Sequence, residues 1–180
     1  MLSCILSLRT RDKTTDEASH RLFEVAPNLK SLSPLSQPRI EKLIYPVSFY
    51  RNKARGIRKM IRMLKTNFKW KIPNEIEQLL TLPGVGRKTA NLVRTVAFGL
   101  PGICVDTHVH RISNIWGVVK TKSPDETEFS LRQVLPKRYW LTYNDLLVPY
   151  GQYVCTPVSP KCSECPLARI CPKIGVGKTR

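Results

Sequence analysis

The sequence is short of acidic residues. It has 13 aspartates and glutamates against 30 lysines and arginines, so the formal net charge is +17 at pH 7 over 180 residues. The excess is spread along the chain and does not form a tail. A folded protein this basic is typical of polyanion binders, with nucleic acid the first candidate and an anionic membrane surface the second. The remaining alternative is a basic surface that serves only solubility.

Long apolar runs, internal repeats and strand-like alternation are also missing. No run of 18 or more apolar residues occurs, so no membrane-spanning helix is expected. The apolar start, Met1 to Leu8, lacks the basic region and small-residue cleavage site of a secretory signal, so we expect a cytoplasmic protein with reduced cysteines. Val, Ile and Thr rarely alternate with polar residues, so strands are expected to be scarce.

Helical periodicity and helix-boundary residues predict an all-α chain with short connections. Tyr50 to Phe68 is expected to be a long helix, with apolar residues on one face and cations on the other. The break at 99–102 suggests domains at 1–100 and 101–180. Other helices are predicted from a Thr14 or Thr15 cap to Val25, from Ser36 to Pro46, from an Asn74 cap to Leu80, from Arg87 to about Phe98, after an Asp106 or Thr107 cap, from Ser123 to Pro136 and from Tyr143 to Tyr153.

Four of the six cysteines lie within 17 residues near the end of the chain: Cys155, Cys162, Cys165 and Cys171, spaced C-x6-C-x2-C-x5-C. Four thiolates this close together can surround one compact metal centre. Structural zinc sites commonly use two close cysteine pairs, whereas only Cys162 and Cys165 form such a pair here. The longer intervals suit a loop around an iron–sulfur cube, with zinc as the competing metal.

The segment 82–90, LPGVGRKTA, is the second informative stretch. Gly84 and Gly86 let the backbone turn sharply and come close to another molecule. The turn leads into a helix whose first N–H groups point outward at the positive end of the helix dipole. This arrangement can hold a phosphate without reading a base. The alternative is a plain helix–helix connection that contains glycine.

The segment 82–90 resembles the helix-hairpin-helix of the endonuclease III family of DNA glycosylases. Segment 105–111, VDTHVHR, is similar to the family segment with the essential aspartate, and the cysteine tail is similar to its [4Fe–4S] loop. Segments 6–12 and 49–54 also resemble family segments, in the same order. The resemblance implies an all-α, two-domain helix-hairpin-helix glycosylase fold with a C-terminal [4Fe–4S] cluster loop. It also implies a monomer that binds damaged or abasic double-stranded DNA in the nucleoid, and no membrane.

The same resemblance implies that Lys88 and Asp106 are the catalytic residues. A neutral lysine amine is a nucleophile that can form a Schiff base. Lys88 would attack C1′ of a damaged nucleotide, expel the base and hold the sugar as an imine before β-elimination cuts the strand. Asp106 would take a proton from the amine and stabilise positive charge on the sugar. The simpler alternatives are that Lys88 contacts a phosphate and that Asp106 is a helix N-cap.

A base inside a duplex must be flipped out before it can react, and the hole must be filled. The family glutamine that follows the first L-S pair corresponds to Arg9, and its inserted apolar residue corresponds to Phe49. Arg9 and Ile115 depart from the family pattern, and the N-terminal helix of the cluster domain is expected to be missing. The other expected DNA contacts are Leu82, Gly84, Val85, Gly86, Arg87, Thr89 and Lys161.

The expected function is a base-excision-repair DNA glycosylase with abasic-site lyase activity that removes oxidised pyrimidines. One alternative is a monofunctional mismatch glycosylase of the same superfamily that releases adenine or thymine. Such relatives usually lack a lysine at the position of Lys88. Another alternative is a non-catalytic DNA-binding module, in which the cluster is structural and the pairing of Lys88 with Asp106 is a coincidence.

Overall fold

The computed structural model describes residues 1–180, and all of its regular structure is helical. The chain forms two compact units, Met1–Val93 and Arg94–Arg180, so the division falls ahead of the glycine-rich break that suggested a boundary at 100. No helix combines the length and the apolar character needed to cross a membrane. The α-helices are α1 (Leu2–Ser7), α2 (Asp12–Val25), α3 (Leu29–Leu32), α4 (Gln37–Ile44), α5 (Tyr50–Phe68), α6 (Ile76–Leu80), α7 (Arg87–Leu92), α8 (Thr107–Ile115), α9 (Pro124–Val134) and α10 (Tyr143–Tyr153).

The first unit is organised around α5, which has the bounds that the sequence predicts. Its buried residues follow helical spacing, and the helix packs against α4 and α1. Its opposite face is exposed and carries only cations among its charged residues. The packing of this apolar face fixes α5 in the first unit, and so it fixes where the chain enters the helix after Phe49 and leaves it at Lys69. The buried residues of α5 are Ala54, Ile57, Met60, Ile61 and Leu64.

Serine caps set the starts of α4 and α9, as predicted. Ser36 Oγ accepts a hydrogen bond from Arg39 N at 3.3 Å, and Ser123 Oγ accepts one from Glu126 N at 3.2 Å. A proline follows each cap near the helix start, where its missing N–H costs nothing.

Two predicted caps are wrong by a few residues. The helix α2 begins at Asp12, and Thr15 lies inside it with its hydroxyl bonded back to the Arg11 carbonyl at 3.2 Å. In α6 the N-cap is Glu75, so the predicted Asn74 cap lies one position too early. Threonine and asparagine favour caps but also bond to other nearby backbone groups, so residue type alone does not set the boundary.

The helix predicted from Arg87 to about Phe98 is also not uniform. The α-helical part ends at Leu92, and a π-helical segment, Val93–Ala97, continues it. A π-turn contains one more residue than an α-turn. The apolar pattern of a five-residue segment is too short to show that difference.

The second unit is built on α8, which packs against α10 and α9. Val109 and Ile112 of α8 are fully buried with Leu131 of α9. The approach of α10 to α8 is close at Gly151, where a Cβ atom would lie 2.5 Å from His108 Nδ1. Cys155, two residues after the end of α10, lies beside α8, where Arg111 donates a hydrogen bond to its carbonyl.

Candidate nucleic-acid interface and metal centre

The hairpin between α6 and α7 is a tight turn. Val85 N donates to Leu82 O at 3.1 Å, and Gly84 between them has a φ of +80°, which favours glycine. Gly86 is the N-cap of α7, and no side chain caps that helix start. The tight turn therefore leads directly into the start of α7, where the positive end of the helix dipole lies.

The side chains of the hairpin divide into two sets. Lys88 is exposed in the first turn of α7, and Arg87 beside it is half-buried. Leu82, Val85 and Thr89, expected to contact DNA, are buried, with relative exposures of 2%, 7% and 3%. We therefore expect these three residues to contact DNA only through their backbone.

The substitution Gly86→Ala tests whether a ligand approaches the hairpin backbone. An added Cβ would meet no protein atom within 4 Å, and the φ of −98° suits any residue, so we expect an unchanged melting temperature. The methyl group would occupy the space needed for a phosphate, so we expect the affinity for duplex DNA to fall about tenfold, measured by fluorescence anisotropy.

Gly84→Ala is the matched control for this change. It forces a left-handed backbone on alanine, while its Cβ would make an ordinary contact with Ile5, so it is expected to destabilise the fold by about 1–2 kcal/mol through the backbone alone. An undiminished DNA affinity in Gly86→Ala would contradict the close approach of a ligand to the hairpin.

Arg9 and Phe49, the two residues expected to fill the hole left by a flipped nucleotide, lie together in the first unit. Arg9 Cζ is 5.9 Å from the centroid of the Phe49 ring. Both residues are exposed, the phenylalanine by 58%. Both have left-handed backbones, with φ values of 55° and 56°, which costs a non-glycine residue about 1–2 kcal/mol. Such strain is typical of residues held in place for function.

Asp106 is the N-cap of α8. Its Oδ1 atom accepts a hydrogen bond from Val109 N at 2.8 Å, and the residue is half-buried behind the buried run 103–105. The predicted capping role is therefore present and occupies one of the two carboxylate oxygens. Asp106 belongs to the second unit, whereas Lys88 belongs to the first.

The four cysteines of the tail line one pocket beside the end of α10. Tyr150 of α10 and Trp116, which follows α8, complete its wall. No three His, Cys, Asp or Glu side chains in the chain converge closely enough to hold a single metal ion. The four cysteines nevertheless share one pocket, and their sulfur atoms are the candidate ligands of a metal centre.

Two side chains lie within hydrogen-bonding distance of the cysteine sulfur atoms. The Tyr150 hydroxyl lies 2.8 Å from Cys165 Sγ, and Arg111 Nη1 lies 3.6 Å from Cys155 Sγ. Arg111 Nη2 also donates to the Cys155 carbonyl at 2.6 Å. Hydrogen bonds of this kind orient thiolate ligands and adjust the electron density on sulfur.

The environment shifts the pKa values of these groups. Burial raises the pKa of the Tyr150 phenol, and the adjacent cysteine sulfurs raise it further, so the hydroxyl stays a donor. Burial also raises the pKa of the Cys155 thiol, whereas the hydrogen bond and charge of Arg111 favour the thiolate that a metal needs.

Lys161, expected to contact DNA phosphates, is half-buried and lines the cysteine pocket. Its N–H donates to the Val154 carbonyl at 3.0 Å, which closes the loop between the first two cysteines. Arg169, in the last interval of the tail, is exposed. Arg169 is therefore a second cation of the tail that is accessible to a phosphate, and it is not among the DNA contacts predicted from the sequence.

Sequence reasoning also missed Arg111, Tyr150 and Lys53 as residues that support the site. Tyr150 lies five residues before Cys155, near one helical turn and a half, but this spacing alone does not show that its hydroxyl reaches Cys165. Lys53 lies in segment 49–54, which resembles a family segment. Its sequence context does not distinguish it from the other cations of α5.

Two family models match the chain. The HhH-GPD superfamily base excision DNA repair protein model matches residues 2–137, and the iron-sulfur binding domain of endonuclease III matches residues 155–171. Endonuclease III of Thermotoga maritima is 44% identical over 171 residues, which cover 95% of this chain and 80% of the relative. Endonuclease III of Bacillus subtilis is 36% identical over 95% of this chain and 78% of its own. The chain spans 48% of the length of a chloroplastic endonuclease III homologue of Arabidopsis thaliana, at 40% identity.

Solved structures agree with these matches. A trapped covalent intermediate of endonuclease III with DNA, the estranged-adenine complex, superposes with a TM-score of 0.89 at 36% identity over 96% of this chain and 81% of that one. A non-covalent endonuclease III–DNA complex gives a TM-score of 0.88 at the same identity and coverage. A thermostable thymine-DNA glycosylase, 21% identical with a TM-score of 0.84, shares the fold.

Proposed function

The chain belongs to the endonuclease III family of the HhH-GPD superfamily of base excision DNA repair proteins, and from that premise we propose that it removes oxidised pyrimidines and then cleaves the abasic site. It is a DNA glycosylase, and two of the solved structures similar to it are complexes of endonuclease III with DNA. The lyase half of the proposal depends on one observation: a lysine, Lys88, is exposed in the first turn of the helix that follows the hairpin. We propose that it acts as a monomer.

In the proposed reaction the hairpin backbone holds a phosphate, and the damaged nucleotide leaves the stack. The Lys88 amine attacks C1′ as the bond from C1′ to the base breaks, and the base leaves with a proton. The sugar ring opens to give an imine on Lys88. Loss of a proton from C2′ then expels the 3′ phosphate, and water releases the lysine.

Asp106 is proposed to accept the proton that the Lys88 amine loses and to stabilise positive charge that develops on the sugar as the base departs. The same carboxylate is also the N-cap of α8, so Asp106 is proposed to hold a structural and a catalytic role together. Arg9 and Phe49 are proposed to fill the hole in the duplex, the ring by stacking and the guanidinium by donating to the unpaired base.

Borohydride trapping tests the lyase proposal. The holoprotein is mixed with a duplex that contains an abasic site, and borohydride reduces any imine to a stable amine. We expect a covalent adduct, and release of thymine glycol from a damaged duplex. Release of adenine or thymine from mismatches without an adduct would assign the monofunctional alternative instead. Absence of both adduct and base release would leave only a DNA-binding module.

The cysteine tail is an iron–sulfur binding domain, and we propose that it holds a [4Fe–4S] cluster on Cys155, Cys162, Cys165 and Cys171. The four cysteine thiols and the pocket that they share support this assignment. When bound, the cluster would supply a covalent core for a loop that has little apolar interior of its own. The loop would then present Lys161 and Arg169 toward a phosphate backbone.

The substitution Tyr150→Phe tests the link between the phenol and the cluster. It removes the O–H donor to Cys165 and keeps the ring that packs against Trp116. Hydrogen bonds to cluster sulfurs favour the more electron-rich reduced state, so we expect the midpoint potential to become more negative. Potentiometric titration followed by visible absorption and electron paramagnetic resonance measures this shift. Tyr153→Phe, at a 69% exposed position of the same helix, is the control, and a potential unchanged in both variants would contradict the link.

A further inference from the structure

Lys53 lies in the first turn of α5, and its side chain ends at the loop that carries Arg9. Nζ donates to the carbonyls of Leu6 at 2.8 Å and Leu8 at 2.6 Å, and to Thr10 Oγ1 at 3.2 Å. An ammonium group has three N–H donors, and here each has an acceptor. Two of the acceptors are carbonyls at the end of α1, where a helix leaves its last carbonyls without partners.

Thr10 connects this loop to the segment that carries Phe49. Its hydroxyl oxygen also accepts a hydrogen bond from Ser48 N at 3.2 Å. The Lys53 backbone N–H donates to the Phe49 carbonyl at 3.0 Å as α5 begins. Lys53 and Thr10 therefore join two loops that are about forty residues apart, each with a left-handed residue at its tip.

The surroundings of Lys53 differ from those of the other cations of α5. It is half-buried, whereas Arg55, Arg58 and Lys59 are exposed. Burial lowers the pKa of its ammonium group to about 8, and the three oxygen acceptors favour the protonated form, so it is charged at neutral pH. Its side-chain partners are neutral oxygens of the loop, so its contacts serve the conformation of that loop and do not neutralise a charge.

We propose that Lys53 is a positioning residue that holds Arg9 and Phe49 together as one preformed wedge for the duplex. The inference rests on the roles proposed above for Arg9 and Phe49. Without the ammonium group, the loop that carries Arg9 would lose three hydrogen bonds to α5. The Thr10 hydroxyl and the contact of Arg9 with the Phe49 ring would remain between the two loops, and the backbones of Arg9 and Phe49 would be less firmly held. Binding would then have to order two side chains that the wild-type protein holds in place beforehand.

The test compares affinities for two duplexes, one with a tetrahydrofuran abasic-site analogue and one undamaged. The ratio of the two affinities reports how well the wedge fills a hole and is independent of the general attraction to phosphate. Ordering two side chains on binding lowers the affinity for the duplex with the analogue, so Lys53→Met is expected to lower the ratio about tenfold. Lys53→Arg keeps donors for the loop and is expected to restore most of the ratio.

Lys59→Met is the matched control because it removes one exposed cation from the same helix. It is expected to weaken binding to both duplexes equally and to leave the ratio unchanged. Thr10→Val removes the second link without changing the charge and is expected to lower the ratio in the same direction. It keeps the test decisive if Lys53→Met folds poorly, as judged by thermal melting.

A double-variant cycle separates a role through the wedge from a general structural role. In a Phe49→Ala background the wedge is already broken, so adding Lys53→Met should lower the ratio little further. Additive losses, or an unchanged ratio in a folded Lys53→Met variant, would overturn the inference. A wild-type protein without any preference for the analogue would overturn the wedge and the inference with it, whereas a missing borohydride adduct would concern only the lyase step.

Discussion

Lys88→Gln is expected to abolish the borohydride adduct and to slow base release by at least about 10⁴-fold, because glutamine is polar and only one atom shorter but has no nucleophilic amine. Binding to duplex DNA should weaken by no more than about tenfold, since the change removes one cation of the 30 lysines and arginines. The measurements are single-turnover base release, trapping on abasic DNA, and affinity at several salt concentrations.

Arg87→Gln is the control for this experiment. It removes the neighbouring cation from the same turn of α7 and leaves the lysine in place. We expect it to weaken DNA binding by a similar amount and to retain the covalent adduct. An adduct that persists in Lys88→Gln would contradict Lys88 as the nucleophile and would direct attention to another amine of the chain.

Several elements were predictable because local sequence determines them. The helix α5 has 19 residues, so its apolar residues repeat at helical spacing over several turns and do not fit the alternation of a strand. Its predicted bounds are confirmed. The starts of α4, α8 and α9 follow from side-chain caps that act within one turn. The cysteine spacing predicted a common centre, and the four residues do line one pocket.

Other elements depend on contacts that local sequence does not encode. The helices α1 and α3 have six and four residues, too few for a periodic pattern to appear. They form because packing stabilises them: Leu6 in α1 and Leu32 in α3 are almost completely buried in the first core. The contacts that support the site are also non-local, since Lys53 reaches residues 43 to 47 positions away.

The predicted DNA-contact residues also show which features local sequence determines and which depend on the folded structure. The hairpin was located correctly from its glycines, but three of its expected contact residues have buried side chains. Leu82 and Val85 belong to the first core, so they fix the shape of the turn from inside. A motif read from sequence identifies the whole turn, whereas only the structure separates the residues that shape it from those that face outward.

Asp106→Asn is expected to slow base release on the order of 10³-fold while leaving the fold nearly unchanged. Asparagine caps a helix about as well as aspartate, so the hydrogen bond to Val109 N should persist and stability should fall by less than about 1 kcal/mol. What asparagine lacks is the negative charge and the ability to accept a proton. The change therefore separates the observed cap of α8 from the catalytic role proposed for the same carboxylate.

The comparison with Asp106→Ala completes the separation. Alanine removes both the cap and the carboxylate, so it should slow base release as much as asparagine does and should also cost about 1 kcal/mol of stability. On DNA with a preformed abasic site no base must leave, so less positive charge needs stabilisation. Asp106→Asn should therefore slow strand cleavage on that substrate less than it slows base release. Full base release by Asp106→Asn would show that Asp106 serves only as the cap of α8.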